Sequence, residues 1–532
     1  MTRAELRWLL LASLAVLLFA SLPTLYAWRL ADEQHVFGGF VYNVEDGNAY
    51  LGKMRLGAEG EWLFHLFYTS EEHEPAMAFP LHILLGKLAA ATGTPLIATY
   101  HLARVGFGLL LLCTVYAFLA YFTPDVTTRR LAWALTALGS GLGWLLTLLV
   151  GPTLLGDLPL DFWVPEAYLF LVLYNLPHLA LAEALLLWSL LWTLRGQEES
   201  RPALIVAAGL AAVGLTLVVP FYVGVLAAAL GAYLVAITLR ERRIPWRRVA
   251  QTALVGAFAL PVVAYDAWTF TTNPAFVAWT AQNTIFSPHP LHYLLGFLPL
   301  LIPAVPGLVL ALCRRETSPR WLLPVAWVLA VPFLLYMPFN LQRRMIAAAQ
   351  VPLALLAALG LVTWTERPTR TRAWRTLLVA WVALASLSNV LLVAGSLLEM
   401  HNRPMPAFRP AAEIAAIDEL ARRAENEEVV LVAYQSGNLI PTRVHVRVFM
   451  GHGPETLHYE ERQQDLERFF DPATDDAWRR QLLVRHRVAW VFYGPAERAL
   501  GAWDPATAGY LVPVYDAQGY RLYRVDLKGG SS

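Results

Sequence analysis

The 532-residue sequence predicts a mostly α protein, a polytopic membrane helix bundle of about 11 spans with a C-terminal extracytoplasmic α/β domain. Three observations predict it. Hydrophobic residues make up 57% of the chain and charged residues 15%, where a soluble domain runs at roughly 45–50% and 25%. Apolar stretches near the ~20 residues that cross a bilayer recur up to about residue 397. Beyond that point the pattern changes to short β-type runs alternating with amphipathic helical segments.

The predicted spans lie at 7–27, 98–122, 131–151, 167–194, 203–219, 221–239, 250–268, 292–313, 321–339, 343–363 and 376–397. The 203–239 region reads either as two spans joined at Pro220-Phe221 or as one helix broken there; two spans preserve the charge parity. Arginines mark alternate loops: Arg3 and Arg7; Arg129 and Arg130; Arg195 and Arg201; Arg240, Arg242, Arg243, Arg247 and Arg248; Arg314, Arg315 and Arg320; Arg367, Arg370, Arg372 and Arg375. Cytoplasmic loops carry the Lys/Arg excess, so the expected protein is multi-pass in the plasma (inner) membrane, N-terminus inside and C-terminal domain outside. Arg3 and Arg7 before an apolar run also fit a signal peptide, but no small-x-small cleavage site precedes Trp28, which favours an uncleaved anchor.

Two parts stand outside the predicted bilayer. The loop 28–97 is far longer than a helix connection needs, and it is assigned to a transmembrane domain, 1–397. The tail, 398–532, carries apolar runs at Val429–Tyr434, Val444–Phe449, Val488–Tyr493, Tyr510–Tyr515 and Tyr520–Val525. Helical stretches at Ala411–Arg423, Glu455–Phe470 and Asp475–Arg485 alternate with them, as in a small α/β domain.

Composition excludes several functions. With 41 Lys+Arg against 40 Asp+Glu there is no basic excess to hold nucleic acid. The two cysteines, Cys113 and Cys313, lie in apolar runs, which excludes a disulfide framework and a cysteine zinc site. Only Lys53, Lys87 and Lys528 are lysines, an arginine bias that with abundant Ala and Leu suggests a GC-rich bacterial genome.

The chemistry-bearing residues begin just after the first span. Glu45 and Asp46 are followed by Tyr50, Lys53 and Arg55 on an amphipathic segment. Adjacent helical residues point in different directions, so one carboxylate can act as general base while the other is held by Lys53 or Arg55. The competing reading is a solvated acidic loop. A carboxylate motif after the first span, a long outer loop, many spans and a C-terminal outer domain together resemble the GT-C glycosyltransferase superfamily. That family includes protein O-mannosyltransferases, the lipid A aminoarabinose transferase and oligosaccharyltransferases. The resemblance implies transfer of a sugar from a polyprenyl-phosphate donor on the non-cytoplasmic face, with Asp46 as catalytic base and Glu45 as the alternative.

In the next outer loop the resemblance makes Asp161 and Glu166 candidates for a metal or the acceptor. With Asp46 they offer hard oxygen ligands to Mg²⁺ or Mn²⁺, and the cofactor is left open. A polar turn, with Glu166 complementing a helix N-terminus, is the alternative. Asn175, Pro177 and His178 place an amide, a kink and an imidazole inside a span, as expected of a substrate cavity or an interhelical hydrogen bond. Glu183 lies deeper in the same span and needs a partner the sequence does not identify.

Arg343 and Arg344 break the charge rule, because parity puts them on the outer side. Guanidiniums bind phosphate oxygens bidentately, so a lipid-phosphate headgroup supplies the expected anion; snorkelling to anionic lipids is the other reading. The loop Glu71-Glu72-His73-Glu74, with His65 and His82 near, lacks His-Glu-x-x-His spacing and predicts no zinc site. Asn283–Pro290 is expected at an acceptor-facing rim. Gly451–Thr456 and Tyr493–Arg498 read as turns.

The expected activity is a membrane glycosyltransferase taking sugar from a polyprenyl-phosphate donor, with that lipid-linked sugar and membrane lipids as its partners. The alternative is a non-catalytic polytopic protein, either a lipid or glycan transporter or an assembly factor. The absence of paired repeats in the sequence counts against a transporter.

Overall fold

The structure is a computed structural model that describes residues 1–313, 319–364 and 372–527. Arg314, Arg315, Arg367 and Arg370 of the predicted basic loops lie outside the described residues. The chain folds as two compact units. The first comprises Met1–Leu22, His101–Asp266 and Thr284–Ser396; the second comprises Pro23–Tyr100, Ala267–Asn283 and Leu397–Ser532. The long loop predicted at 28–97 thus folds in one unit with the tail rather than with the spans.

Among the described residues seven helices are long and apolar enough to cross a membrane, beginning with α1 (Arg3–Leu30). Two bent pairs, Val126–Leu138 with Gly143–Leu149 and Arg372–Ala385 with Leu387–His401, raise the number to nine. The predicted stretches 203–219 and 321–339 are the shorter apolar helices Pro202–Val218 and Pro319–Leu335. The protein is a multi-pass membrane protein.

Small residues let helices of the first unit meet backbone to backbone. A Cβ on Gly307 of the helix Pro290–Cys313 would lie 1.9 Å from the Leu356 carbonyl oxygen, and one on Gly360 would lie 1.9 Å from that of Pro303. This close approach is how packing drives helix association where lipid removes the hydrophobic gradient. The predicted kink is a true break: one helix ends at Asn175 and the next begins at Pro177, which has no N–H to continue the ladder. Glu183, buried, is hydrogen-bonded to the Ala348 backbone, the partner the sequence left open.

The second unit is built on a five-stranded sheet of order β4-β3-β5-β7-β6. Its strands are β3 (Val429–Leu431), β4 (Arg447–Val448), β5 (Val488–Tyr493), β6 (Leu511–Ala517) and β7 (Tyr520–Val525). β3 runs parallel to β4 and β5, and β7 pairs antiparallel with β5 and β6. The hairpin between β6 and β7 turns at Gln518 and Gly519, both at positive φ, as a two-residue turn matching strand twist requires. A separate two-stranded ribbon pairs β1 (His35–Phe37) with β2 (Phe408–Pro410), joining the first loop to the tail.

Strand alternation divides the core. Val429 and Leu431 pack on one face with Phe469, Phe470 and Leu482, while Val430 and Val432 pack on the other with Phe64, Tyr68, Phe276 and Ile417. The loop 28–97 therefore supplies part of the sheet's covering layer. The predicted run Val429–Tyr434 ends early as a strand, because a helix begins at Tyr434.

Two helices of the loop, α2 (Val44–Ala58) and α3 (Pro80–Thr92), cross at glycines. A Cβ on Gly86 would lie 1.7 Å from the Met54 carbonyl oxygen, and one on Gly57 would lie 2.0 Å from that of Ile83. Backbone cannot swing aside as a side chain does, so Gly86→Ala is expected to cost at least the 1–3 kcal/mol typical of overpacking. Thermal unfolding of detergent-solubilised protein measures it; an unchanged midpoint would show that the helices separate at little cost.

Candidate active site

The site grows from the first turn of α2. Asn43 precedes the helix at φ +52°, a conformation that Asn tolerates better than most residues. Its side-chain amide donates to Oδ2 of Asp46. The other carboxylate oxygen, Oδ1, lies 2.9 Å from Nε2 of His452. Asp46 is thus fixed from two sides, yet its side chain remains 38% exposed while that of His452 is 8% exposed. An oriented carboxylate that solvent still reaches is what a base needs for an incoming hydroxyl.

Glu45 points elsewhere, as adjacency on a helix requires. Its Oε2 accepts from the Tyr434 hydroxyl at 2.7 Å, and that hydroxyl in turn accepts from the Gly453 N–H at 3.1 Å. Burial and the bond to Glu45 push the Tyr434 phenol up, so it stays a donor. Asn438 completes the shell, its Nδ2 donating to the Glu45 carbonyl at 3.3 Å and its Oδ1 accepting from Asn48 at 2.8 Å.

His452 is held by its own turn. The Thr456 hydroxyl accepts from the N–H groups of Gly451 and His452. Gln282, on the helix Pro274–Gln282, donates to the carbonyls of Pro454 and Thr456 at 2.8 and 2.7 Å. The same turn supplies Glu455, whose Oε1 lies 2.6 Å from Nζ of Lys53. Lys53 is almost fully buried, 5.3 Å from the ring centre of Phe64 and 4.3 Å from that of Phe79. Tyr50 stacks on His82 at 4.7 Å, and Arg55 donates to the Pro441 carbonyl at 2.6 Å and pairs with Glu59. The structure therefore gives Lys53 and Arg55, read from sequence as substrate contacts, partners inside the unit. The sequence reading also had one of them holding a carboxylate of the Glu45-Asp46 pair; His452, Asn43 and Tyr434 do that instead.

Burial pulls the His452 pKa down, but the bond to Asp46 and the charges of Glu455 and Asp46 outweigh it, so the net value lies above the usual imidazole range despite Lys53. A raised folded pKa gives stability that is complete below the unfolded value near 6.5 and lost as pH rises through the folded value. The stability gap between the protein and its His452→Gln variant is therefore expected to be widest below pH 6.5. It should narrow with rising pH, by at most about 1.4 kcal/mol per unit. Unfolding midpoints from pH 5.5 to 9 measure it, and a gap that widens with pH contradicts it.

In the first unit Arg343 and Arg344 lie within a short 3-10 turn, Gln342–Ile346. The Arg343 guanidinium lies 4.3 Å from the Trp163 ring centre, and Arg344 Nε lies 3.4 Å from Oε1 of Glu166. The segment Ile285–Ser287 packs beside them: the Ile285 N–H donates to the Asn340 carbonyl at 2.6 Å, and the Arg343 N–H to that of Ile285 at 3.3 Å. Asp161 sits apart from Glu166 in role, its Oδ2 accepting from the N–H groups of Gly141 and Gly143 at 2.9 and 3.1 Å. Each carboxylate keeps one buried oxygen without a hydrogen bond, Oδ1 of Asp161 and Oε2 of Glu166, the kind of hard oxygen ligand that Mg²⁺ or Mn²⁺ takes. Asn175 is buried and His178 half-buried at the helix break.

Among the described residues, His65, Glu427 and His445 form a His/Glu group of a kind that can hold a metal ion. His452 and Glu455 were singled out in the sequence only as part of a turn. The Gly-His-Gly-Pro-Glu-Thr order was their one visible signal.

No family model matches the chain, and no curated protein matches it. Solved structures do. ArnT from Cupriavidus metallidurans in the apo state matches with a TM-score of 0.53 at 14% identity, over 96% of this chain and 98% of that one. The arabinofuranosyltransferase AftD from Mycobacteria matches with a TM-score of 0.57 at 15% identity, over 99% of this chain and 42% of that one. The fold is GT-C-like. The chain spans less than half the length of AftD. ArnT from Cupriavidus metallidurans also matches in its structure bound to undecaprenyl phosphate, with a TM-score of 0.49 at 15% identity, over 96% of this chain and 98% of that one. The GT-C-like fold agrees with the resemblance drawn from Glu45-Asp46 and the topology.

Proposed function

We propose that the protein is a membrane glycosyltransferase that moves a sugar from a polyprenyl-phosphate donor to an acceptor hydroxyl on the extracytoplasmic face. The observation that carries this reading is Asp46: a carboxylate on the first helix after the first span, oriented by Asn43 and His452 and still open to solvent. The GT-C-like fold shared with ArnT, a protein that binds undecaprenyl phosphate, supports the donor class. The orientation follows from the arginine-rich loops.

In the proposed reaction Asp46 takes the proton of the acceptor hydroxyl as that oxygen attacks the anomeric carbon. The bond from that carbon to the phosphate oxygen breaks, and polyprenyl phosphate leaves. Attack opposite the leaving group inverts the anomeric configuration. His452, its pKa raised by the bond to Asp46 and the charges of Glu455 and Asp46, holds the carboxylate aligned. Glu45 is engaged by Tyr434 and orients the turn that carries His452. Arg343 and Arg344 bind the donor phosphate, because the guanidinium fork matches phosphate oxygens bidentately.

Phosphate contact by guanidinium predicts selective binding. Purified protein is expected to bind undecaprenyl phosphate and not undecaprenol. The Arg343→Gln/Arg344→Gln variant should bind the phosphate at least tenfold more weakly, measured by native mass spectrometry from detergent. Equal affinity for the alcohol, or unchanged binding in the variant, would overturn the assignment of these arginines.

A further inference from the structure

We infer that His65, Glu427 and His445 form a binding site for a borderline divalent transition metal of the Zn²⁺ class, clipping the first outer loop to the edge of the tail's sheet. The inference is independent of the transferase reading, and its failure would leave that reading untouched. The residues come from three places. His65 follows α2, Glu427 precedes β3, and His445 precedes β4. One ligand atom from each lies within 4.8 Å of the others, close enough for modest side-chain movement to bring all three onto one ion.

The chemistry of the set selects the metal. Two imidazoles and one carboxylate suit Zn²⁺ and its neighbours, whereas Mg²⁺ and Ca²⁺ want oxygen donors throughout. The two rings lie nearly parallel, 11° apart with centroids at 5.8 Å, and Nδ1 of His65 is 3.8 Å from Oε1 of Glu427. The His445 side chain is 90% buried and its Nε2 has no hydrogen-bond partner. A buried polar nitrogen left so is costly unless a ligand takes it. On the other side of that ring, Glu59 Oε2 lies 2.7 Å from Nδ1, the carboxylate-behind-histidine arrangement that orients metal-binding imidazoles. Arg55 shares Glu59, so the local charge before metal arrives is close to balanced. Glu427 is 57% exposed, which gives an ion an entry path.

A catalytic reading of this metal has no support in the geometry, because none of the three residues lies on α2, the helix that carries Asp46. Its expected effect is on the attachment of the loop to the sheet. The test uses the full-length protein in detergent, stripped of metal and titrated with Co²⁺ alone. One equivalent is expected to bind with the visible d–d absorption of a four- or five-coordinate nitrogen–oxygen site, and one equivalent of Zn²⁺ should displace it. Glu427→Gln, at an exposed position where folding is not at stake, should weaken Co²⁺ binding at least tenfold, and His65→Ala should abolish the absorption. Zn²⁺ should raise the unfolding midpoint of the parent protein and not that of the variants. Binding of no stoichiometric Co²⁺, or binding that survives unchanged in Glu427→Gln and His65→Ala, would overturn the site.

Discussion

Asp46→Asn is expected to lower the rate of sugar transfer by about 10²–10⁴-fold, the usual contribution of a positioned general base. The amide keeps the shape of the carboxylate, and its single oxygen can still accept from Asn43 or from His452, but it cannot accept a proton at neutral pH. Asp46 is partly exposed, so the unfolding midpoint should fall only slightly. Glu45→Gln serves as the internal comparison. Its carboxylate accepts from Tyr434, and the amide oxygen can do the same, so transfer should fall much less than in Asp46→Asn. If both variants retain full activity, neither carboxylate is the base. If Glu45→Gln alone is inactive, the roles are reversed.

Lys53→Met is expected to destabilise the second unit by about 3–5 kcal/mol, the cost of removing one partner from a buried ion pair. Lys53 is 1% exposed and Glu455 4%. Methionine nearly conserves volume among the rings of Phe64 and Phe79, so the loss is electrostatic: the Glu455 carboxylate would be left buried without its partner and with Oε2 already lacking a hydrogen bond. The double variant Lys53→Met/Glu455→Gln removes the orphaned charge and should recover a large part of the loss. Chemical unfolding followed by tryptophan fluorescence gives both values. A double variant no more stable than Lys53→Met would show that packing and not charge governs this position. Because the charge of Glu455 also raises the His452 pKa, the single variant should disturb the setting of Asp46 as well.

The spans were legible because lipid imposes a length and an apolar composition that few other constraints reproduce. Every predicted stretch contains a helix. What the residue pattern left open was continuity: the bends near 139–142 and at Ser386 follow from contacts such as the Ser140 N–H and hydroxyl, both on the Ala385 carbonyl. The tail's α/β character was visible in its alternating runs, whereas its strand lengths were not. Val429–Tyr434 reads as six β-type residues, yet the helix at Tyr434 is needed to carry its hydroxyl to Glu45.

The site was half legible. Asp46 and Glu45 stood out by position, and Arg343 and Arg344 by breaking the charge pattern. Of the two partners that orient Asp46, Asn43 is a neighbour in sequence, but His452 is 406 positions away, and Glu455 is 402 positions from Lys53. No local periodicity encodes a pairing at that separation. For the same reason Lys53 and Arg55 read as substrate contacts when only their neighbours in sequence were in view, and His65 was weighed with His73 and His82 of its own loop rather than with His445.

The central claim is that this protein breaks the bond between a sugar and a polyprenyl phosphate. It is tested most directly by reconstituting the purified protein in liposomes with a panel of undecaprenyl-phosphate sugars and a crude envelope acceptor fraction, then following free undecaprenyl phosphate by mass spectrometry. The account predicts release that depends on both the donor sugar and the acceptor, with the transferred sugar inverted at its anomeric carbon. Intact donor after prolonged incubation across the panel, in protein shown to have bound it, would contradict the account.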